Sequence, residues 1–315
     1  FERADNPATE MNRNKPTTRQ NATRRPAAAC WVEAMRLRTL PVSVSGVLAA
    51  IALAIINHTF QWLPATICFT FAVLAQIASN FANEYFDYRD GLDSKGRVGP
   101  RRGVAEGDIT PRAMLNATLI TLATAALVGL ALVYWGGWWL VAAGVVIVCG
   151  ALAYSAGPYP LSRHGLGEVA VILFFGVAPV TLTYWIQAGS CPAEVWITSL
   201  SIGLMGANVL IVNNYRDREE DAAVGKLTLA VKYGPKAATT LYLINGILAA
   251  ILMFPIWRLM PYAWFAPSLY LYLNFFLWER LRKFHGKALN PLLGQTACAM
   301  FLYTALLLIA AIMLK

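Results

Sequence analysis

Residues 195–221 read VWITSLSIGLMGANVLIVNNYRDREED, and the change of character at Asn213 decides the fold. From Val195 to Asn213 no Asp, Glu, Lys or Arg occurs; then Arg216, Asp217, Arg218, Glu219, Glu220 and Asp221 arrive together. The same junction occurs earlier, where the apolar run Trp62–Asn83 gives way to Glu84-Tyr85-Phe86-Asp87-Tyr88-Arg89-Asp90-Gly91-Leu92-Asp93. Of the 17 Asp and Glu in the chain, ten fall between Glu84 and Asp108 or between Asp217 and Asp221. Acids gathered at the ends of bilayer-length apolar runs are costly unless they coordinate something. They read as a place where Mg²⁺ holds a diphosphate.

Working outward, apolar runs of roughly 17–25 residues, the length that crosses a bilayer, recur along the chain. They are Leu40–Ile56, Trp62–Asn83, Met114–Trp135, Trp138–Tyr154, Gly167–Gln187, Val195–Asn213, Ala237–Ile256, Tyr262–Trp278 and Leu292–Leu314. The only ionisable acid or base inside them is Glu168, at a mouth. A charge at the bilayer centre costs about 2.5–3.5 kcal/mol, so this emptiness supports nine spans. The composition agrees: the chain is 57% hydrophobic and 14% charged, against about 25% charged in soluble proteins. A soluble all-α protein with buried helices is disfavoured.

With the N-terminus inside, sixteen Lys and Arg fall in inner loops and only Arg258 in an outer one, a strong positive-inside bias. The net charge of +9 therefore reflects topology and a basic N-terminal tail, and gives no ground for nucleic-acid binding. Residues 1–30 are polar and expected to be disordered. They hold no apolar segment of the kind a cleaved signal peptide needs, and Met11 is a possible natural start. Residues 31–315 form a single membrane domain. The five cysteines show no CxxC spacing and read as small packing residues.

Asn83 and Asp87 are four residues apart, as are Asn213, Asp217 and Asp221. On a helix each set lies on one stripe. Like charges so stacked need a cation, and carboxylates beside helix-end carbonyls are hard oxygen ligands suited to Mg²⁺. Solvated loop acids paired with nearby arginines are the plainer alternative, but they do not account for the same spacing recurring on the same side. Arg97, Arg101 and Arg102 lie in a turn-prone segment apt for bidentate phosphate contacts, and Lys226 follows the second cluster. A transporter is disfavoured because the acids gather at one rim, not along a midplane path. A membrane scaffold with acidic loops has no need of the spacing.

These segments resemble the UbiA superfamily of membrane aromatic prenyltransferases, from Trp31 onward. Its first motif, Asn-Asp-x-x-Asp-x-x-x-Asp, is met by Asn83 and Asp87, while Glu84 replaces one Asp and Gly91 stands where the last is expected. Asp93 followed by Gly99-Pro100-Arg101-Arg102-Gly103 resembles the branch that prenylates 1,4-dihydroxy-2-naphthoate. So do Arg36-Leu37-Arg38-Thr39-Leu40-Pro41, Gly157-Pro158-Tyr159-Pro160 and Gly225-Lys226-Leu227-Thr228-Leu229. The Arg-Thr-x-x-Arg-Pro that tends to follow the first motif in the 4-hydroxybenzoate branch is absent.

The resemblance implies an all-α bundle of nine transmembrane helices around a central cavity, in a bacterial inner membrane with the site facing the cytoplasm. It implies Mg²⁺ held by Asn83, Asp87, Asp93, Asp217 and Asp221, with Asp87, Asp217, Asp221 and Lys226 as catalytic residues. Arg97, Arg101, Arg36, Tyr154 and Asn213 are the expected substrate contacts, Arg36 or Arg38 serving the acceptor carboxylate. Tyr154, Phe174, Phe175 and Tyr184 are candidate aromatic faces for an allylic cation, and Glu168 a candidate proton acceptor. The implied reaction moves a polyprenyl chain from its diphosphate to the naphthoate with loss of CO₂, giving demethylmenaquinone after oxidation. The alternative acceptor is 4-hydroxybenzoate. The implied partners are the two substrates and the lipid bilayer, with no protein partner.

Overall fold

The structure, a computed structural model, describes residues 25–93, 95–260 and 263–314. Among these residues every one of the expected apolar runs is helical. In chain order they are α1 (Leu40–Ile56), α2 (Trp62–Arg89), α3 (Pro111–Ala131), α4 (Trp139–Ser155), α5 (Gly167–Ala188), α6 (Ala193–Ala223), α7 (Gly234–Leu252), α8 (Phe265–Lys283) and α9 (Asn290–Met313). Among the described residues seven helical segments are long and apolar enough to cross a membrane, so the chain is an integral, multi-pass membrane protein. The count of nine is not matched by that measure. Helix α4 has only 17 residues, and α8 ends in Glu279, Arg280, Arg282 and Lys283.

The onset of order also departs from the sequence expectation. Ala27–Met35 is a helix whose Cys30 and Ala34 pack with Phe81, Val104, Ile109 and Met114. The N-terminal tail therefore gives way to structure before residue 31. Residues 1–24 lie outside the described residues.

Helix α6 is the centre of the bundle, packed against α1, α5, α7 and α9. Close approach depends on small residues, as expected where lipid gives no hydrophobic drive between helices. A Cβ on Gly176 would stand 2.4 Å from Gly203 Cα and 2.5 Å from Ser199 O. Gly176 lies in a π-helical stretch of α5, Ile172–Val177. Buried polar side chains add cross-links: Asn208 Nδ2 donates to Tyr242 O at 2.9 Å and Asn274 Oδ1 at 3.2 Å, tying α6 to α7 and α8. Two features place the site. Helices α2 and α6 continue past their apolar runs, so the first acidic cluster as far as Arg89 and the whole of the second remain helical. Helix α4 stands off from the bundle with Ser155 as its one buried residue.

Gly176→Ala forces backbone against backbone at the α5–α6 crossing. It should cost about 1–3 kcal/mol, read as a lowered thermal midpoint of the purified protein in detergent.

Candidate active site

The two acidic helix ends meet. A polar cavity of about 300 Å³ is walled by Asn83 and Asp87 from α2, by Asn213, Asp217 and Asp221 from α6, and by Asp93, Arg97 and Arg102 from the loop after α2. Arg36, Tyr154 and Lys226 complete the wall.

The acids are interleaved with cations. Arg97 bridges the two motifs, with Nη1 at 3.0 Å from Asp93 Oδ1 and Nη2 at 2.8 Å from Asp217 Oδ2. Arg102 stands 3.6 Å from Asp87 and 3.3 Å from Asp93. Arg216 Nε lies 2.6 Å from Asp217 Oδ1, and Lys226 Nζ 3.3 Å from Asp221 Oδ1. Burial pushes the Asp93 carboxyl up to about 6; the Arg97 charge opposes this and Asp87 adds to it. Burial also works against the charge on Arg97, but Asp217 and Asp93 more than restore it.

The loop between the motifs is strapped down. Val98 N donates to Glu220 Oε1 at 2.8 Å, and Asn290 Nδ2 donates to Val98 O at 3.1 Å. At Gly99 a Cβ would lie 2.8 Å from Arg216 Nη2 and 3.2 Å from Asp217 Oδ1, so glycine lets the loop pass close over the second motif.

The structure brings most of the residues singled out in the sequence to one wall, but not Arg101. Arg101 lies outside the cavity wall; its guanidinium pairs with Asp108 at 2.8 Å and Glu106 at 3.5 Å, and it is 37% exposed. Its neighbour Arg102 points inward instead. Only turn geometry separates two adjacent arginines, and spacing carries no signal for it. Glu84, at the position where the family motif has Asp, accepts from Val104 N at 3.0 Å and is absent from the cavity wall. Tyr184 packs in the main core, its hydroxyl accepting from Asn57, and is not an aromatic face of the cavity. Glu168 accepts from Asn214 at 3.0 Å behind the wall. Arg38 is exposed, whereas Arg36 lines the cavity with a left-handed backbone (φ 51°) and a buried Nη2 lacking a hydrogen-bond partner. Ser155, which sequence reasoning missed, donates to Asn83 Oδ1.

Among the described residues no three acids converge on one point as a ready-made metal cluster. The acids pair with guanidinium groups around the wall instead. The donor set still suits Mg²⁺: Asp87 Oδ1, Asp93 Oδ2 and Asp221 Oδ2 are buried without a hydrogen-bond partner, as are Arg102 Nη1 and Arg216 Nη1. Buried polar atoms are rarely left so. Hard anionic oxygens and the free Arg102 N–H on one wall complement a metal ion together with an oxyanion.

A second cavity, of about 410 Å³ and apolar, lies between α4 and the bundle. The two cavities share Gln76, Ser79, Tyr154, Val171 and Phe175. A charged compartment thus opens beside an apolar one within the membrane helices, an arrangement suited to an amphiphile.

Residues 43–305 match the model of the UbiA prenyltransferase family, so the chain belongs to that family and is a prenyltransferase. The 1,4-dihydroxy-2-naphthoate octaprenyltransferase of Mycobacterium tuberculosis is 37% identical over 229 residues, which cover 71% of this chain and 78% of that protein. A UbiA homologue from Aeropyrum pernix superposes with a TM-score of 0.67 at 14% identity, covering 85% of this chain and 97% of that one. A homologue from Archaeoglobus fulgidus, solved with GPP and Mg²⁺, gives 0.63 at 16% identity, covering 90% and 99%. The two solved structures share the fold.

Arg102→Gln leaves Asp87 without its cation and Asp93 with Arg97 alone, and should cost about 3–5 kcal/mol. Arg101→Gln breaks only a partly exposed pairing and should cost about 1 kcal/mol or less. Thermal unfolding of the two variants side by side checks the assignment.

Proposed function

We propose that this chain transfers a polyprenyl group from polyprenyl diphosphate to 1,4-dihydroxy-2-naphthoate with loss of CO₂, dependent on Mg²⁺. The product gives demethylmenaquinone once an external oxidant acts. The observation that carries the reading is the single cavity faced by both acidic motifs and sharing a wall with an apolar one. The acceptor rests on the names of the bacterial relatives, of which that from Mycobacterium tuberculosis covers most of the chain. The excess of Lys and Arg in the inner loops supports a site on the cytoplasmic face of a bacterial inner membrane.

In this reading Asn83, Asp87, Asp93, Asp217 and Asp221 would hold the metal. Bound Mg²⁺ supplies charge neutralisation to the departing diphosphate. Arg97, Arg102 and Lys226 turn from carboxylate to phosphate oxygens, and so stabilise the charge that grows as the C–O bond breaks. Asn213, which accepts from Arg216 Nη2 at 2.8 Å, keeps that guanidinium aimed at Asp217. The C–O electron pair leaves with the diphosphate. Tyr154 and Phe175, on the wall common to both cavities, offer aromatic faces to the resulting allylic cation, each contributing about 0.5–2 kcal/mol. Arg36 holds the acceptor carboxylate. The ring carbon bearing that carboxylate bonds the cation, the C–CO₂ bond breaks, and its electrons restore the aromatic ring.

Asp87→Ala and Asp217→Ala should each lower kcat by about a hundredfold or more while the protein remains folded in detergent. EDTA should abolish turnover and Mg²⁺ restore it. Retained turnover in both variants would refute their roles. Incubating the purified protein with a polyprenyl diphosphate and either acceptor, then weighing the adduct by mass spectrometry, tests the acceptor. An adduct of 4-hydroxybenzoate alone would replace the naphthoate.

A further inference from the structure

The apolar cavity exists because α4 keeps its distance from the bundle. Along α4 the half-buried residues Ala143, Gly144, Ile147, Val148, Gly150 and Ala151 recur with helical period, while Val146 is exposed and off the cavity wall. All six half-buried residues line the cavity. Two glycines on this inner face differ in what stands before them. At Gly150 a Cβ would meet Phe174 Cζ at 2.1 Å, so the Phe174 ring already lies against the helix there. At Gly144 a Cβ would meet nothing within 4 Å. Phe174 comes from the π-helical stretch Ile172–Val177. An extra residue in that turn lets consecutive Phe174 and Phe175 both reach the cavity wall.

Depth follows from helix rise. Taking Tyr154 as the level of the shared wall, Gly150 lies about 6 Å along α4 and Gly144 about 15 Å. A geranyl tail anchored in the polar cavity is shorter than the second distance, and an octaprenyl tail is several times longer. We propose that Gly144 sets the length of isoprenoid tail this chain accepts, by keeping the cavity open below the level where Phe174 rests on Gly150. The inference rests on the reading of the chain as a polyprenyl transferase. Phe174 touches the first units of every tail, whereas position 144 is reached only by long ones. A side chain added at 144 projects into open space within the cavity wall, so it plugs the path without displacing backbone.

The test uses the full chain, purified in detergent, with naphthoate as acceptor and geranyl or octaprenyl diphosphate as donor. Gly144→Phe should lower the octaprenyl-to-geranyl ratio of kcat/KM by about tenfold or more, and Gly144→Leu should lower it by less. The loss should appear in KM, because position 144 is remote from the reacting carbon. Phe174→Ala should raise KM for both donors alike and leave the ratio near that of the unaltered chain. An unchanged ratio in both Gly144 variants, with the unaltered chain active, would mean that the tail leaves sideways above residue 144, and the inference fails alone. An unaltered chain that transfers neither donor to either acceptor overturns the functional reading and this inference with it.

Discussion

Arg97 is the interaction on which the site depends. It joins Asp93, in the loop after α2, to Asp217, on α6, and both carboxylates are almost wholly buried. A buried carboxylate without a partner costs several kcal/mol, and removing one member of a buried pair exposes that cost in full. The loop and the second motif are therefore not independent: each supplies the charge that makes the other tolerable. Glu220, Asn290 and Gly99 then hold the loop backbone over α6. Their bonds are ordinary in strength. They matter because they fix where the guanidinium groups stand, and a low-dielectric wall makes that placement decisive.

The apolar compartment has the opposite origin. The bundle closes tightly wherever glycine meets glycine or proline, as at Gly176–Gly203 and Gly46–Pro179. Helix α4 takes no part in that closure. Its Gly144 faces space that a lipid-like chain can fill, whereas Gly150 meets the Phe174 ring. In lipid such a gap has little hydrophobic cost, because acyl chains are as apolar as the side chains they replace. The same economy in small residues thus packs one half of the molecule and hollows the other.

How much of this was legible in sequence depends on the kind of interaction. The apolar runs were legible because the absence of charge over a bilayer's thickness is a one-dimensional signal. The pairing of Asn83 with Asp87, and of Asn213 with Asp217 and Asp221, was legible because helical spacing alone places them on one face. The inward turn of Arg102 in place of Arg101 was not, since one peptide unit in a loop reverses a side chain. Nor was the exclusion of Tyr184, which faces Asn57 across the core. Nor was it legible that arginines from the intervening loop lie between the acids. That outcome requires the loop's path, which long-range bonds from Glu220 and Asn290 determine. Residues 27–30, the first turn of the N-terminal helix Ala27–Met35, were read as tail because they follow a long polar stretch.

Helix α2 states the logic of the molecule on a single face. Asp87, Asn83, Asn80 with Ser79, and Gln76 step along one stripe of the polar cavity, and Ala75, Ala72, Phe71 and Cys68 continue it into the apolar one. Over about 16 Å between Asp87 and Gln76 the lining changes from carboxylate to amide, and beyond that to hydrocarbon. The amide zone is held rigidly: Asn80 Nδ2 donates to Met35 O at 2.9 Å, and Gln76 Nε2 to Asn80 Oδ1 at 3.3 Å. Arg36 is presented beside it through a left-handed backbone that a non-glycine residue adopts only at a cost. A ligand with a diphosphate, a reactive carbon and an isoprenoid tail has the same order of polarity along its length. On the proposed reading it lies along this stripe with its head at the acidic helix ends and its tail toward α4. In the same reading, that direction leaves the bond to be broken at the level of the amides and Arg36.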